Sequence, residues 1–222
     1  MIRETRSSHN WQSRSGTWDS INTRYIDFET DFPELYLSDI LEDFQTVNIN
    51  DYKNINYNSC VLSFLDDYIL ERFWKHPIKY VAKFKDAKFV CSPDYSILLG
   101  MPKSLIHYNT YRNRLVGYLW AKNNINVIPT VSWASSSTFD IVFEGIKPGS
   151  CVAVSNIGMS DMSRTYFDSG YNEMIKKIQP NKILFQCKKK YRNQYEDKSV
   201  IFVESFWDKK NKTQWEVGQG NQ

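Results

Sequence analysis

The chain has 222 residues, and its 28 basic and 25 acidic side chains give it a formal net charge of +3. Such a length suits one α/β domain with an appendage, and so small a charge excludes a protein that binds polyanions over its whole surface. Because the N-terminus is polar and no apolar run approaches the roughly 20 residues of a bilayer span, we expect no signal peptide, no membrane segment and a cytoplasmic location.

Four cysteines are spread along the sequence without a CxxC pair. Three of them fall within or at the edge of predicted buried strands, where a thiol packs like a small apolar group. We therefore expect buried, reduced thiols and not a disulfide framework, which agrees with a cytoplasmic location. The cysteines are Cys60, Cys91, Cys151 and Cys187.

Residues 1–25 are predicted to form a flexible basic arm. Ser, Arg, Asn and Thr dominate this segment, and its apolar anchors, Trp11, Trp18 and Ile21, are too few to offset the entropy lost on ordering. Its arginines and tryptophans together can bind a phosphate backbone and stack on bases. A tail that binds nothing specific is the alternative, because most basic, Ser-rich termini have that property.

Residues 26–58 are predicted to form a helical lead-in followed by an Asn-rich connector. Pro33 suits the first turn of a short helix, and Leu37, Ile40 and Phe44 supply an apolar face. The connector contains the run NINDYKNINYN, in which no strand or helix is predicted.

Residues 59–207 are predicted to form an α/β core of repeated strand and helix units, and residues 208–222 a frayed tail. Continuous apolar runs such as KFVCS, CVAVSN and KILFQ alternate with amphipathic segments that are too long for hairpin loops, as in buried parallel sheets. Pro129 is expected to interrupt the third strand. The predicted strands cover residues 61–66, 88–92, 126–133, 151–155, 182–186 and 199–206, and the predicted helices cover residues 70–84 with a break at Pro77, 102–120, 138–143 and 163–178. The stretch before Pro77 is also compatible with one continuous helix.

Polar side chains follow several of the predicted strands, at the edge where parallel α/β sheets bind ligands. Asp67 (or its neighbour Asp66) and Asp94 follow the first two strands, and as a pair of carboxylates they can hold a divalent metal or act as an acid and a base. The alternative is that both aspartates cap helices or turns. Ser132, Ser155 and Gln186 are further polar residues at strand ends.

Four other residues are predicted to bind a ligand at this edge. Asn109 and Arg112 share a helical face and can clamp a carboxylate or phosphate, although Arg112 can equally pair with a carboxylate of the fold. Trp133 can stack on a base or sugar, or else plug the end of the core. Asn156 follows the fourth strand. No phosphate loop, zinc signature or nucleophile elbow is present, so the metal, if there is one, is left unassigned.

The densest positive segment lies after the fifth predicted strand and is expected to be a hairpin or loop. It contains Lys188, Lys189, Lys190 and Arg192, interleaved with Tyr191. Basic and aromatic residues in this mixture suit single-stranded nucleic acid, whereas a solvated rim is the usual meaning of a charge run.

Several motifs together resemble an uncharacterised family of bacterial, phage and mobile-element proteins that is catalogued only as a domain of unknown function. They are FLDDY, SPDYS, YRNRLVG, VIPTVSW and CVAVSNIG, and they cover about residues 63–186. The resemblance implies parallel βα repeats in a single, partial TIM-barrel-like domain. It also implies phage or mobile-element origin, and hence the host cytoplasm if a phage encodes the chain, but it implies no activity.

Two functions are compatible with these observations. The first is an intracellular enzyme, metal-assisted and acting on a phosphorylated or nucleotide-like substrate, with a pocket at the carboxyl ends of the strands. The second is a non-catalytic protein that binds nucleic acid or a host protein through the basic arm and the segment 188–192.

Overall fold

The computed structural model describes residues 22–23, 26 and 31–205. The predicted tail at 208–222 and all of the predicted arm except residues 22 and 23 lie outside these ranges.

Seven parallel strands in the described part of the chain form two sheets. The first sheet has the order β1-β2-β3-β4 and the second the order β5-β6-β7, so that sequence neighbours are also neighbours in space. A parallel bridge between Thr130 and Ala153 links the two sheets. The strands are β1 (Gln45–Asn48), β2 (Ser59–Leu62), β3 (Phe89–Cys91), β4 (Val127–Ile128), β5 (Val152–Ser155), β6 (Ile183–Gln186) and β7 (Val200–Val203).

Helices connect successive strands from β2 onwards, as parallel pairing requires. Two of them are long: α3 (Lys103–Lys122) follows β3, and α5 (Arg164–Ile178) follows β5. The other α-helices are α1 (Asp67–Lys75), α2 (Val81–Phe84) and α4 (Phe139–Val142). Short 3-10 helices cover Tyr52–Asn54, Pro77–Tyr80, Ser136–Thr138, Asp161–Ser163 and Lys189–Gln194.

Both faces of the inner strands β2, β3, β4 and β6 are buried, which explains their apolar sequences. Side chains alternate along each strand, so Val61 and Val90 face the helices while Cys60 and Cys91 face a separate interior cluster. This cluster draws on both sheets, because it also includes Ala153, Leu184 and Val203. The two sheets thus share one apolar interior.

The predicted α/β class with parallel strands is confirmed, but a TIM-barrel-like fold is not. No pairing joins β7 to β1 among the described strands, so these strands do not close into a barrel. Within the same part of the chain, no helix has both the length and the apolar character needed to cross a membrane.

Two local predictions were wrong. The helix predicted from Phe32 is absent, and Leu35 instead forms a parallel bridge with Ile146. The predicted connector contains strand β1, which pairs with β2. The basic segment after β6, expected to be a hairpin or a loop, is not a hairpin: the connection to β7 contains a 3-10 helix over Lys189–Gln194. Local sequence patterns did not indicate these features because tertiary contacts decided the conformation.

Pro129 does interrupt the third strand, as predicted. Regular pairing stops at Ile128, and the Pro129 carbonyl accepts a hydrogen bond from the amide of Ala153 at 2.8 Å. The missing proline N–H therefore ends the first sheet at the point where the chain turns towards the second sheet.

Candidate functional site

A small cleft lies at the carboxyl ends of β3 and β4, against the side of α3. Its cavity volume is only about 10 Å³, close to the room that one water molecule needs and far less than the roughly 300 Å³ or more of typical small-molecule pockets, although the cleft is partly open to solvent. Only a group the size of a water molecule fits inside it. The cleft is lined by Asp94, Tyr95, Ile97, Asn109, Thr110, Asn113, Arg114, Thr130, Ser132 and Val142.

Asp94 is the carboxylate of this cleft. Burial raises its pKa from 3.8 to about 6, while the hydrogen bond that Ser132 Oγ donates to Asp94 Oδ1 lowers the pKa, the charge of Asp67 raises it and that of Arg114 lowers it. A carboxyl group with a pKa near 6 can take up and release a proton close to neutral pH. Asp94 thus has the protonation behaviour of a general acid or base.

The floor of the cleft is a buried network of polar side chains around Asn113 of α3. Asn113 Nδ2 donates to the Pro93 carbonyl at 2.7 Å and to Thr130 Oγ1, while its Oδ1 accepts from Ser92 Oγ at 3.1 Å. The amide of Thr130 in turn donates to Ser92 Oγ at 2.9 Å. These bonds tie the ends of β3 and β4 to the helix, so the loop that carries Asp94 has a fixed base.

Arg114 is a buried cation next to this network, and only 2% of its surface is exposed. Its guanidinium donates to the carbonyl groups of Glu144, Val142 and Thr130, at 2.9, 2.7 and 3.1 Å, and to Asn113 Oδ1. Burial lowers its pKa to about 9, although the charges of Asp94 and Glu144 raise it. Because backbone carbonyls occupy most of its donors, Arg114 supports the fold and offers little to an incoming anion.

Asp67 and Asn109 hold the loop that carries Asp94 from two sides. Asp67 Oδ1 accepts from the amide and from the hydroxyl of Ser96, both at 3.0 Å, and Asn109 Nδ2 donates to the Ser96 carbonyl at 2.7 Å. Both predicted site residues are therefore engaged with the protein, and Asn109 also lines the cleft.

Arg112 holds the Asn109 side chain in place through contacts within the protein. Its Nη2 donates to Asn109 Oδ1 at 2.7 Å, its Nη1 pairs with Glu71, and the guanidinium lies 3.9 Å from the ring centre of Tyr95 and 4.7 Å from that of Tyr108. The residue is only 6% exposed. Arg112 thus pairs with a carboxylate of the fold, which was the alternative to its predicted role in ligand binding.

Trp133 and Asn156 lie away from the cleft. The Trp133 indole packs against Phe143 and Phe167 and donates its Nε1 hydrogen to the Phe167 carbonyl at 3.2 Å. Asn156 Oδ1 accepts from the amide of Lys188 at 2.8 Å, and its Nδ2 donates to Cys187 Sγ at 3.3 Å. Neither residue is among those that line the cleft.

The segment 188–192 is less positive than its sequence indicates. Lys190 pairs with Asp161 at 2.8 Å, Lys189 lies 3.8 Å from Glu204, and Lys188 donates to the Met159 carbonyl. The guanidinium of Arg192 lies 5.5 Å from the ring centre of Phe202. Acidic neighbours thus compensate two of the four cations.

The described residues contain no cluster of three or more His, Cys, Asp or Glu side chains that could hold a metal ion. Asp67 and Asp94 are near enough for the charge of one to raise the pKa of the other. A divalent cation at this place would take most of its ligands from water and substrate, as Mg²⁺ commonly does. All four cysteines are free and buried.

Sequence reasoning found Asp94 and Ser132 from their places after strands but missed the network beneath them. Asn113, Arg114 and Thr130 were not among the predicted site residues. The sequence did contain an indication of this network. The motif YRNRLVG distributes polar residues around a helix that is expected to pack against β-strands. A helix whose polar residues leave no purely apolar stripe has to bury some of them in hydrogen bonds.

Comparison with known proteins places the chain among phage proteins of similar length. A family described as Domain of unknown function (DUF4417) matches residues 26–206. The Gene 1 protein of Mycobacterium phage L5 is 31% identical over 226 positions, which cover 97% of each chain. The Gene 1 protein of Mycobacterium phage D29 is 29% identical over 218 positions, which cover 94% of this chain and 80% of the relative. No solved structure matches the chain.

Proposed function

Because the chain belongs to the family described as Domain of unknown function (DUF4417), which has phage relatives of no stated activity, we propose its function from the cleft. We propose an intracellular, metal-assisted enzyme that acts on a phosphorylated or nucleotide-like substrate, with Asp94 as the group that transfers a proton.

The observation that carries this proposal is the environment of Asp94. The carboxyl group has a pKa of about 6 and lies at a strand end, in a cleft lined by amide and hydroxyl groups. Carboxyl groups with perturbed pKa values inside clefts are candidates for acid–base catalysis. Ser132, which donates to Asp94, orients the carboxyl group and leaves its second oxygen for a substrate.

The charges of the cleft favour a cation as a cofactor. Asp94 and Asp67 contribute negative charge, whereas the donors of Arg114 are largely occupied by carbonyl groups. A phosphate group would therefore meet repulsion unless a divalent cation bridged it to the carboxylates. The cavity has room for a group the size of a water molecule, such as a metal ion or one phosphate oxygen, so the rest of the phosphate and any base or sugar would lie at its open side.

Thermal unfolding with Mg²⁺ or Mn²⁺ alone, nucleotides alone, and both together tests this proposal. We expect the pair to stabilise the protein more than either component, by about 2.7 kcal/mol at 100 times the dissociation constant. Asp94→Asn should lose this effect, whereas Asp86→Asn, at an exposed position outside the cleft, should keep it. Absence of stabilisation by every combination would leave the proposal without support.

The alternative function is binding of nucleic acid or a host protein through the basic arm at residues 1–25 and the segment 188–192. It has less support because acidic neighbours compensate two of the four cations of that segment. Lys188 and Arg192 are the members without a described carboxylate partner. If this function is correct, replacing both should weaken nucleic-acid binding and lower the salt slope of log K by roughly 0.7 to 0.9 per phosphate contact. Unchanged affinity and slope would exclude these two residues.

Two structural expectations also remain proposals. The interior cluster that the two sheets share supports a barrel-like arrangement of the βα repeats. We also retain the division into a lead-in at 26–58 and a core at 59–207. Limited proteolysis tests this division, because cleavage between β1 and β2 should then precede cleavage inside the core.

A further inference from the structure

Three buried hydrogen-bond donors without a partner occur close together, outside the cleft. They are Nε and Nη2 of Arg72, on α1, and the hydroxyl group of Tyr52, in the 3-10 helix that follows β1. The Arg72 guanidinium carbon lies 5.8 Å from the ring centre of Tyr52. Burial raises the pKa of the Tyr52 phenol, while the charge of Arg72 acts in the opposite direction. The unpartnered donors of Arg72 and Tyr52 therefore lie in the same region of the fold.

The free atoms of Arg72 are the ones that recognise oxyanions. Nε and Nη2 form one edge of the planar guanidinium, and their hydrogens point in parallel, as two oxygens of a carboxylate or phosphate require. Arg112 differs, since only its Nε lacks a partner and its two terminal nitrogens are bound to Glu71 and Asn109. Arg192 has the same edge free, but no second donor is unpartnered beside it.

The surroundings of Arg72 lack a counter-charge. None of the ion pairs among the described residues includes Arg72, and its sequence neighbour Glu71 is bound to Arg112 instead. The guanidinium lies 4.8 Å from the ring centre of Phe73, and Tyr80 stacks on Tyr52 at 6.1 Å. Aromatic rings around a guanidinium exclude water. They therefore strengthen an ion pair that it forms, and they increase the free-energy cost of a hydrogen-bond donor that has no partner.

We propose that Arg72 and Tyr52 form a binding site for an oxyanion, a carboxylate or a phosphate group. The Nε and Nη2 hydrogens of Arg72 would bind two of its oxygens, and the Tyr52 hydroxyl would donate a third hydrogen bond. A water molecule could accept some of these hydrogen bonds, but it would not supply a negative charge to balance the Arg72 guanidinium. The three donor atoms are screened from solvent although Arg72 as a residue is only half-buried, so a bound anion would take the place of the side-chain atoms that now cover these donors.

The Nε–H signal of Arg72 in a two-dimensional nitrogen–proton NMR spectrum tests this site in the intact protein. It is identified by its loss in Arg72→Lys, which keeps the charge but removes the planar edge. Inorganic phosphate and acetate are titrated separately at constant ionic strength, with sodium chloride as the balancing salt. We expect a saturable shift with at least one of them. Saturation by phosphate alone points to a phosphorylated ligand, and saturation by acetate as well points to a carboxylate.

Two comparisons distinguish specific anion binding at Arg72 and Tyr52 from a general effect of salt on charged side chains. Tyr52→Phe keeps the ring but removes one donor, and it should weaken the anion several-fold without loss of folding. The Nε–H of Arg164, whose Nε already lies 3.6 Å from Asp168, should not move. The proposal is overturned if the Arg72 signal is unmoved by both anions, if it moves without saturation together with that of Arg164, or if it shows exchange with a bound water only.

Discussion

At the scale of single residues, the ionisation of Asp94 opposes folding at neutral pH. Its pKa rises from 3.8 to about 6 on folding, so between these values the folded protein binds a proton that the unfolded chain releases. As far as this group is concerned, stability is therefore highest below pH 3.8, falls between pH 3.8 and about 6, and levels off above that range.

Asp94→Asn should accordingly stabilise the protein at pH 7.5. Asparagine keeps an oxygen that can accept from Ser132 but has no charge to bury, and we expect a gain of about 1–2 kcal/mol after allowing for the part of the carboxyl group that solvent screens. The gain should vanish near pH 4, where the native carboxyl group is protonated. Urea unfolding across this pH range measures it.

The matched control for this prediction is Asp86→Asn, at an exposed position, which should shift stability little at any pH. If Asp94→Asn were instead less stable than the native protein at both pH 7.5 and pH 4, the ionised carboxylate would not be the destabilising form. The assignment of Asp94 as a proton-transfer group would then lose its physical basis.

At the scale of elements, the approach of α5 to the strands depends on Gly170. A Cβ atom at this position would lie 2.1 Å from the Trp133 indole, which is far below van der Waals contact. Trp133 itself is held by Phe143 and Phe167, so it cannot move aside without disturbing both. The glycine thus lets a large ring lie between a helix and the end of β4.

We predict that Gly170→Ala destabilises the protein by about 1–3 kcal/mol through overpacking. It should also change the near-ultraviolet circular dichroism, because the Trp133 ring has to shift. Gly149→Ala is the control: its φ of +80° makes the substitution strained, but nothing lies within 4 Å of its Cβ, so only stability should change. An unchanged aromatic spectrum and stability in Gly170→Ala would contradict the packing.

The elements that could be predicted from sequence are those whose own residues decide their conformation. The strand Ile183–Gln186 and the last turns of α3, which contain VGYLW, are mainly apolar where the fold buries them, so local pattern and tertiary environment agree there. In contrast, β1 has the sequence QTVN and only half-buried or exposed side chains, and its conformation comes from pairing with β2. Nothing in its composition indicates that partner.

The segment after Phe32 is the opposite case, because its sequence predicts a helix that the structure does not contain. Its apolar residues have helical spacing, yet the segment forms no helix: Phe32 and Ile40 are buried in different apolar clusters, and the amide of Leu37 donates to Ser150 Oγ at 3.0 Å. Likewise, strand-end reasoning located Asp94 in the site, but its supports Asn113 and Thr130 come from other elements. Spacing along the chain does not encode such contacts.

At the scale of the whole molecule, the resemblance to an uncharacterised family with phage members, inferred from motifs such as SPDYS, is confirmed. The fold that these motifs support is two parallel sheets with one interior. Cys60 and Cys91 from the first sheet and Cys151 at the start of the second belong to the same cluster, and all three are fully buried. The two sheets should therefore unfold together.

Thiol labelling in increasing urea checks this cooperativity. We predict that Cys60, Cys91 and Cys151 become reactive at the same urea concentration, because opening of one sheet exposes the interior face of the other. Mass spectrometry after proteolysis assigns the label to each cysteine. Cys187 belongs to a different apolar cluster and directly precedes the segment 188–192, so it reports opening of that part of the fold. Reaction of Cys60 and Cys91 well before Cys151 would mean that the sheets are independent units.

The last strand has a consequence for handling the protein. β7 pairs with β6 on one side, no described strand pairs with its other side, and its sequence is the continuous apolar run VIFV. A free edge of this composition can recruit the same edge of another molecule into intermolecular sheets. Charged residues border the run, with Asp197 and Lys198 before it and Glu204 after it, and such residues act as gatekeepers against aggregation. Substitutions that neutralise them should lower solubility before they alter the fold.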